Sequence, residues 1–326
     1  MNDSDRPLRV SIITPTRNQG QFIGATIRSV LAQDYPAIEY LVIDGDSEDS
    51  TRDVIAAYRD RIAYFVSEPD SGQSAAINKG IRASTGDVIM WLNSDDLLTP
   101  GAVRIAVEAL TKHPDVDVVY SDFWSLEGRP GRARRRKAWQ VDLGELIKRN
   151  IIPQPTAFIR RRLLDRIGLV DESMHLAMDW DLWLRSAQVA RLLYLPRPAL
   201  AVLRDHPEAK TRAYYGRRVA EQLTILDRFY TDSSLPRCVR RQRGISYSHV
   251  YWEAAEHAAL RNRAFPDGIG WLARSILSHP IGVVARPRTS LLIALAALQQ
   301  LLARTVRRDQ STEPAGTLRT RGVGNF

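Results

Sequence analysis

Two stretches of this 326-residue chain set acidic side chains where they could do chemistry. The first is residues 88–96, VIMWLNSDD: a short apolar run rich in β-branched and aromatic residues that ends in Asn93, Ser94, Asp95 and Asp96. Neighbouring carboxylates repel unless a cation or a shared proton offsets the charge. Oxygen ligands of this kind suit Mg²⁺ or Mn²⁺, which keep positions open for water and phosphate. The same residues also read as a helix start, with Asp95 or Asp96 capping a segment from Leu97 and Pro100 in its first turn. The second stretch is residues 171–185, where Asp179 and Asp181 flank Trp180 ahead of an amphipathic pattern. Both of these acids also fit the first turn of a helix, whose dipole favours anions.

Positioning such groups takes a sheet edge. Runs at 9–14, 38–43, 62–66, 88–93, 116–120, 157–160 and 199–204 read as strands, and helical spacing recurs at 22–31 and 73–83. Strand–helix alternation implies an α/β fold with a largely parallel sheet and helices on both faces. Ligands of such sheets bind beyond the carboxyl ends of the strands, and three of those ends (14–18, 44–49 and 93–96) are polar or acidic. The turn after the first strand reads TPTRNQG, with no G-x-G-x-x-G, and no P-loop occurs anywhere. Bound phosphates would then need a metal and basic side chains.

Composition is that of an ordinary globular protein, 44% hydrophobic and 25% charged, long enough for one large α/β domain with an appendage. The single cysteine, Cys238, excludes an intrachain disulfide and suits a reducing, cytoplasmic setting. The polar start has no apolar h-region, so no signal peptide is expected. A net charge of +9 fits anionic partners without choosing among them.

Four ordered stretches carry a resemblance: SIITPTRN at 11–18, VIDGDSEDST at 42–51, EPDSGQSAAINKGI at 68–81 and GDVIMWLNSDD at 86–96. In order and spacing they resemble the inverting family 2 glycosyltransferases of GT-A (Rossmann-like) fold, over roughly residues 9–206. The resemblance implies a nucleotide-diphosphate sugar as donor. Its site would comprise Thr14, Pro15, Thr16, Arg17, Asp44, Asp46, Asn78, Lys79, Asn93 and Ser94. Asn93-Ser94-Asp95 would occupy the D-x-D position, with Asp95 on Mg²⁺ or Mn²⁺, Asp96 an alternative ligand, and Asn93 beside the ribose or diphosphate. Asn93 departs from the usual first Asp. By the same resemblance, Gln154, Pro155, Thr156 and Trp180 face the acceptor, Asp179 is the general base, and His206 reaches the diphosphate or metal. Met178 stands where the family often has Glu, which leaves Asp179 as the base of the pair, while Asp181 and Arg185 read as a local structural pair.

The implied chemistry needs a cation for the departing diphosphate and a carboxylate for the proton of an acceptor hydroxyl. The acceptor expected is a glycan or a lipid-linked acceptor of cell-surface polysaccharide synthesis. The basic run at 129–137 reads either as a solvated loop or as a contact for an anionic acceptor or a membrane surface. Nucleic acid is not expected, since only Trp139 lies beside that run and no stacking platform is evident.

The expected organisation is a catalytic domain over 1–212, with a nucleotide-sugar half at about 9–122 and an acceptor half at about 123–212. A helical region at 213–308 and a disordered tail at 309–326 follow. Residues 290–303 are apolar but interrupted by Gln299 and Gln300, short of the roughly 18 uninterrupted apolar residues of a spanning helix. They read as an interfacial, core or oligomer helix, which leaves peripheral membrane attachment open. Two other readings are a nucleotidyltransferase on a related sheet and a non-catalytic sugar- or membrane-binding homologue. The first predicts a Gly-rich basic loop after the first strand, and the second predicts loss of Asp95 or Asp179. Neither feature is found in the sequence.

Overall fold

Apolar runs alternate with amphipathic ones, and the chain folds accordingly. The computed structural model describes residues 6–127, 133–206, 210, 214–260 and 265–280. In order the elements are β1 (Val10–Thr16), α1 (Gly20–Leu31), β2 (Ile38–Asp44), α2 (Thr51–Ala56), β3 (Tyr64–Ser67), α3 (Gln73–Ala83), β4 (Val88–Trp91), β5 (Leu97–Leu98) and α4 (Ala102–Lys112). Then come β6 (Val116–Ser121), β7 (Phe123–Glu127), β8 (Ala133–Arg136), α5 (Leu143–Leu146), β9 (Phe158–Arg160), α6 (Arg161–Ile167), α7 (Met178–Val189), β10 (Arg191–Leu195) and β11 (Ala201–Asp205). The helices α8 (Tyr215–Thr231), α9 (Arg237–Arg240), α10 (Arg243–Leu260) and α11 (Phe265–Ser278) follow.

Seven strands form the main sheet in the order β10-β6-β9-β4-β1-β2-β3. β9 runs antiparallel to β4 and β6, and the other pairs are parallel. All seven residues of β1 are buried, as expected of a strand covered on both faces. Ile23, Ile27 and Val30 of α1 recur at helical spacing and join Ile12, Val42 and Met90 in one core. Helix α3 comes so close to β1 that a Cβ on Gly80 would lie 2.4 Å from Ile13 Cγ2, so no larger residue fits there without moving the helix. In register, Thr16 lies beside Asp44, and Asp44 beside Ser67. The carboxyl ends of the strands therefore share one edge.

A second sheet, β5-β11-β7-β8, was not foreseen from the sequence. β5 has two residues, and β8 is Ala-Arg-Arg-Arg, neither of which carries a strand signal. Long-range partners make them strands: β5 pairs with β11 and β8 with β7. Residues 97–98 are thus extended, and α4 begins only at Ala102, behind Gly101. Capping a helix from Leu97 is not the role of Asp95 or Asp96.

The chain divides into two compact units at 246/247. Helix α8 belongs to the first unit. In the second, Trp252, Ala255 and Ala259 of α10 pack with Trp271 and Leu272 of α11, and Tyr251 stacks on Trp271 at 5.7 Å. Among the described residues no helix is long and apolar enough to cross a membrane. The apolar segment 290–303, the tail 309–326 and the first part of the basic run, up to Arg132, lie outside the described residues.

Candidate active site

The turn after β4 is fixed from below. The Thr26 hydroxyl lies 2.7 Å from the Ser94 carbonyl and 2.8 Å from that of Asp96, and the Asp96 amide donates to the Asn93 carbonyl at 3.0 Å. Arg204, on β11, sits over the Phe22 ring at 5.0 Å. It donates to the carbonyls of Asp95 and Ser94, to the Phe22 carbonyl at 3.2 Å and to Thr26 Oγ1 at 3.1 Å. Its charge therefore stands beneath two carboxylates while its hydrogen bonds hold their backbone. Asp96 is 5% exposed, and burial, followed by the charge of Asp95, raises its carboxyl well above the usual carboxylate range, with Arg204 opposing. Asp95 is the more open of the two, and its Oδ2 lies 3.1 Å from His206 Nε2. The His206 ring rests on Phe22 at 4.5 Å, and its buried Nδ1 has no hydrogen-bond partner among the described residues.

Among the described residues no three carboxylate, imidazole or thiolate groups cluster as a ready-made metal site. Asp95 and His206 offer two donors at the open edge of the turn. That set fits a hard divalent cation whose remaining ligands are waters and phosphate oxygens.

A polar chain crosses the floor beside the turn. Lys210 Nζ donates to Gln73 Oε1 at 3.1 Å, and Gln73 Nε2 donates to Asn93 Oδ1 at 2.7 Å. Asn93 Nδ2 lies 3.4 Å from both Asp96 Oδ2 and Gln154 Oε1, and Gln154 Nε2 donates to the Trp91 carbonyl at 2.6 Å. Burial pulls the Lys210 ammonium below its ordinary value.

Asp179 stands in the first turn of α7. Asn150 Nδ2 donates to its Oδ2 at 2.7 Å, and the Trp180 amide donates to its Oδ1 at 2.8 Å. Burial raises its pKa, against these hydrogen bonds and the charge of Arg218. Asp181 instead pairs with Arg185 at 2.8 Å, one turn along the helix. Trp183 of α7 stacks on Trp91 at the end of β4, 6.1 Å between centroids and 9° from parallel. A Cβ on Gly72, which has φ +128°, would meet His175 Nδ1 at 3.0 Å. The strap ahead of α7 therefore abuts Gly72, whose neighbour Gln73 bonds Asn93, so contacts run from the strap to the turn after β4.

Several residues expected at the site are framework. Asn78 is 2% exposed: its Nδ2 donates to the Val170 carbonyl and to Glu172 Oε1, both at 2.8 Å, and its Oδ1 accepts from the Val170 amide at 3.1 Å. It has no group left for a nucleotide. Trp180 is wholly buried, with Nε1 donating to the Leu146 carbonyl at 2.8 Å, and offers nothing to an acceptor. Thr156 is wholly buried against Ser121 and Pro153, and Pro155 is buried beside it. Thr14 lies inside the sheet, its hydroxyl accepting from Tyr40 at 3.1 Å.

The others lie along the edge. Asp44 is buried and accepts from the Ser47 hydroxyl at 2.5 Å, the Ser67 hydroxyl at 2.6 Å and the Ser47 amide at 3.1 Å. Asp46 is open, 3.7 Å from Arg52. Thr16 is buried, with no hydrogen-bond partner for its Oγ1 among the described residues, while Pro15 is buried and Arg17 exposed. Lys79 pairs with Glu68 at 2.7 Å. Sequence reasoning passed over Gln73, Asn150, Arg204 and Glu221 as site residues, because their roles rest on partners distant in sequence.

Residues 11–170 match the sequence profile of Glycosyl transferase family 2. An uncharacterized glycosyltransferase of Mycobacterium tuberculosis is 33% identical over 185 residues, covering 55% of this chain and 69% of that one. One of Rickettsia typhi is 31% identical over 211 residues, covering 62% of this chain and 65% of that protein, so the chain spans a little under two thirds of that relative. In fold the chain resembles Staphylococcus aureus TarS crystallised with UDP-GlcNAc, with a TM-score of 0.65 at 18% identity over 91% of this chain and 92% of that one. It also resembles a mannosyltransferase of Pyrobaculum calidifontis in complex with GDP-Man and Mn²⁺, with a TM-score of 0.58 at 19% identity over 92% and 88%. With the profile match, the two relatives and a GT-A-like sheet in agreement, the chain belongs to glycosyl transferase family 2.

Proposed function

We propose that this protein transfers a sugar from a nucleoside-diphosphate sugar to a hydroxyl of a glycan or lipid-linked acceptor, with inversion at the anomeric carbon, in cell-surface polysaccharide synthesis. The observation that carries this reading is a pair of unlike acidic sites linked by contacts through Gln73 and Gly72: Asp95 beside His206 with Arg204 on its backbone, and Asp179 held by Asn150 and the Trp180 amide. Asp179 accepts the proton of the acceptor hydroxyl as its oxygen bonds to the anomeric carbon. The bond from that carbon to the diphosphate breaks on the opposite face, and the electron pair leaves with the nucleoside diphosphate. A raised carboxylate pKa makes a better base near neutrality. Arg17 and Asp46 serve the nucleotide, and Asn93 with Gln73 serves the ribose or diphosphate. Asp95 and His206 would hold Mg²⁺ or Mn²⁺, which when bound stabilises charge on the leaving diphosphate. The UDP-GlcNAc of TarS and the GDP-Man and Mn²⁺ of the mannosyltransferase support the donor and metal classes. Exposed Arg134 and Lys137 suit an anionic acceptor or the cytoplasmic face of a membrane.

A thermal-shift panel of UDP-, GDP- and dTDP-sugars with and without Mn²⁺ tests this. Stabilisation by one nucleotide sugar only with metal is the expected result. A response to nucleoside triphosphates alone would favour nucleotidyl transfer instead.

A further inference from the structure

The strap that leads into α7 is gripped from a helix beyond the family's profile. Glu221, on α8, is 8% exposed. Its Oε2 accepts from the amides of His175, Leu176 and Ala177 at 3.0, 2.8 and 3.0 Å, and its Oε1 lies 3.1 Å from the His175 amide. Three successive N–H groups thus converge on one carboxylate, which Arg217 approaches at 3.4 Å. The carboxylate thereby ties down three consecutive backbone donors of the strap just ahead of α7 with charge-assisted hydrogen bonds. On the other side of the strap, Ser74 of α3 donates to the Met174 carbonyl at 2.5 Å, and Asn78 holds Val170. Asp179 follows Ala177 by two residues.

We propose that Glu221 is a positioning residue of the transfer reaction: by clamping three amides ahead of α7, it sets where the Asp179 carboxylate meets the acceptor. The proposal rests on Asp179 being the base. Glu221 needs no contact with either substrate. Its loss leaves the donor side intact, because the turn at 93–96 is held by Thr26 and Arg204 instead. Displacing a catalytic group by about 1 Å can cost on the order of 100-fold in rate.

The test compares the full chain with Glu221→Gln and Glu221→Ala. Amide hydrogen exchange should accelerate at His175, Leu176 and Ala177 in the order Ala, then Gln, then wild type, with Gln partly rescuing because it keeps one acceptor oxygen. kcat should fall about 10- to 100-fold in Glu221→Ala, while the donor KM and nucleotide-diphosphate affinity stay within about twofold. Unchanged exchange, an unchanged kcat, or equal loss of nucleotide binding and turnover would each overturn the proposal. Exchange and nucleotide affinity are read without turnover. If the wild-type chain transfers no sugar, the functional reading fails and the clamp itself is still judged.

Discussion

The two acidic sites are built in opposite ways. The Asp95–Asp96 turn is held through its backbone: Thr26 and Arg204 take its carbonyls, leaving the Asp95 carboxylate open to His206 and to ligands. Asp179 is held through its carboxylate, by Asn150 and the Trp180 amide, and its backbone approach is set from α8. A group that binds a cation is most useful with its oxygens free, whereas one that takes a proton must be aimed and partly desolvated.

This contrast can be broken in four ways. Asp179→Asn should lower kcat by about 10²- to 10⁴-fold while leaving donor affinity by calorimetry near wild type; a matching loss of affinity would place Asp179 on the donor side. Asp95→Ala should weaken metal-dependent nucleotide binding about 100-fold, since cation contacts are worth several kcal/mol, and binding without metal should be almost unaffected. Thr26→Val leaves two carbonyls of the turn with less support and should cost about 1–3 kcal/mol in urea unfolding; no change would mean that Arg204 alone suffices. The smallest effect concerns pH. Because the Asp179 pKa is raised, kcat should climb through a midpoint above the ordinary carboxylate range as the base deprotonates. The Asn150 hydrogen bond favours the charged form, so Asn150→Ala should move that midpoint further up; a downward move would contradict the assigned geometry.

Much of this arrangement could be read from residues alone where the signal is local. The β-branched runs at 10–16, 38–44 and 88–91 are parallel strands, and the polar or acidic residues at their carboxyl ends share one edge. The burial of Asn78 and Trp180 was not legible, because a motif fixes residue types and not which way a side chain turns. Nor was Arg204, whose role exists only once β11 passes beneath a turn more than a hundred residues earlier. The arginines of β8 concealed a strand for a similar reason: their pairing partner is β7, and their own propensities say nothing of it.

That strand has a consequence for the charged surface. Arg135 points inward to Asp122, 2.7 Å away, whose side chain is 1% exposed, while Arg134 and Lys137 face water. A cluster that looks uniform in one dimension is therefore two populations. Ionic strength should mask Arg134 and Lys137 readily and Arg135 hardly at all. Reversing the charge at 134 repaints the exterior, whereas the same change at 135 sets two anions face to face within the protein.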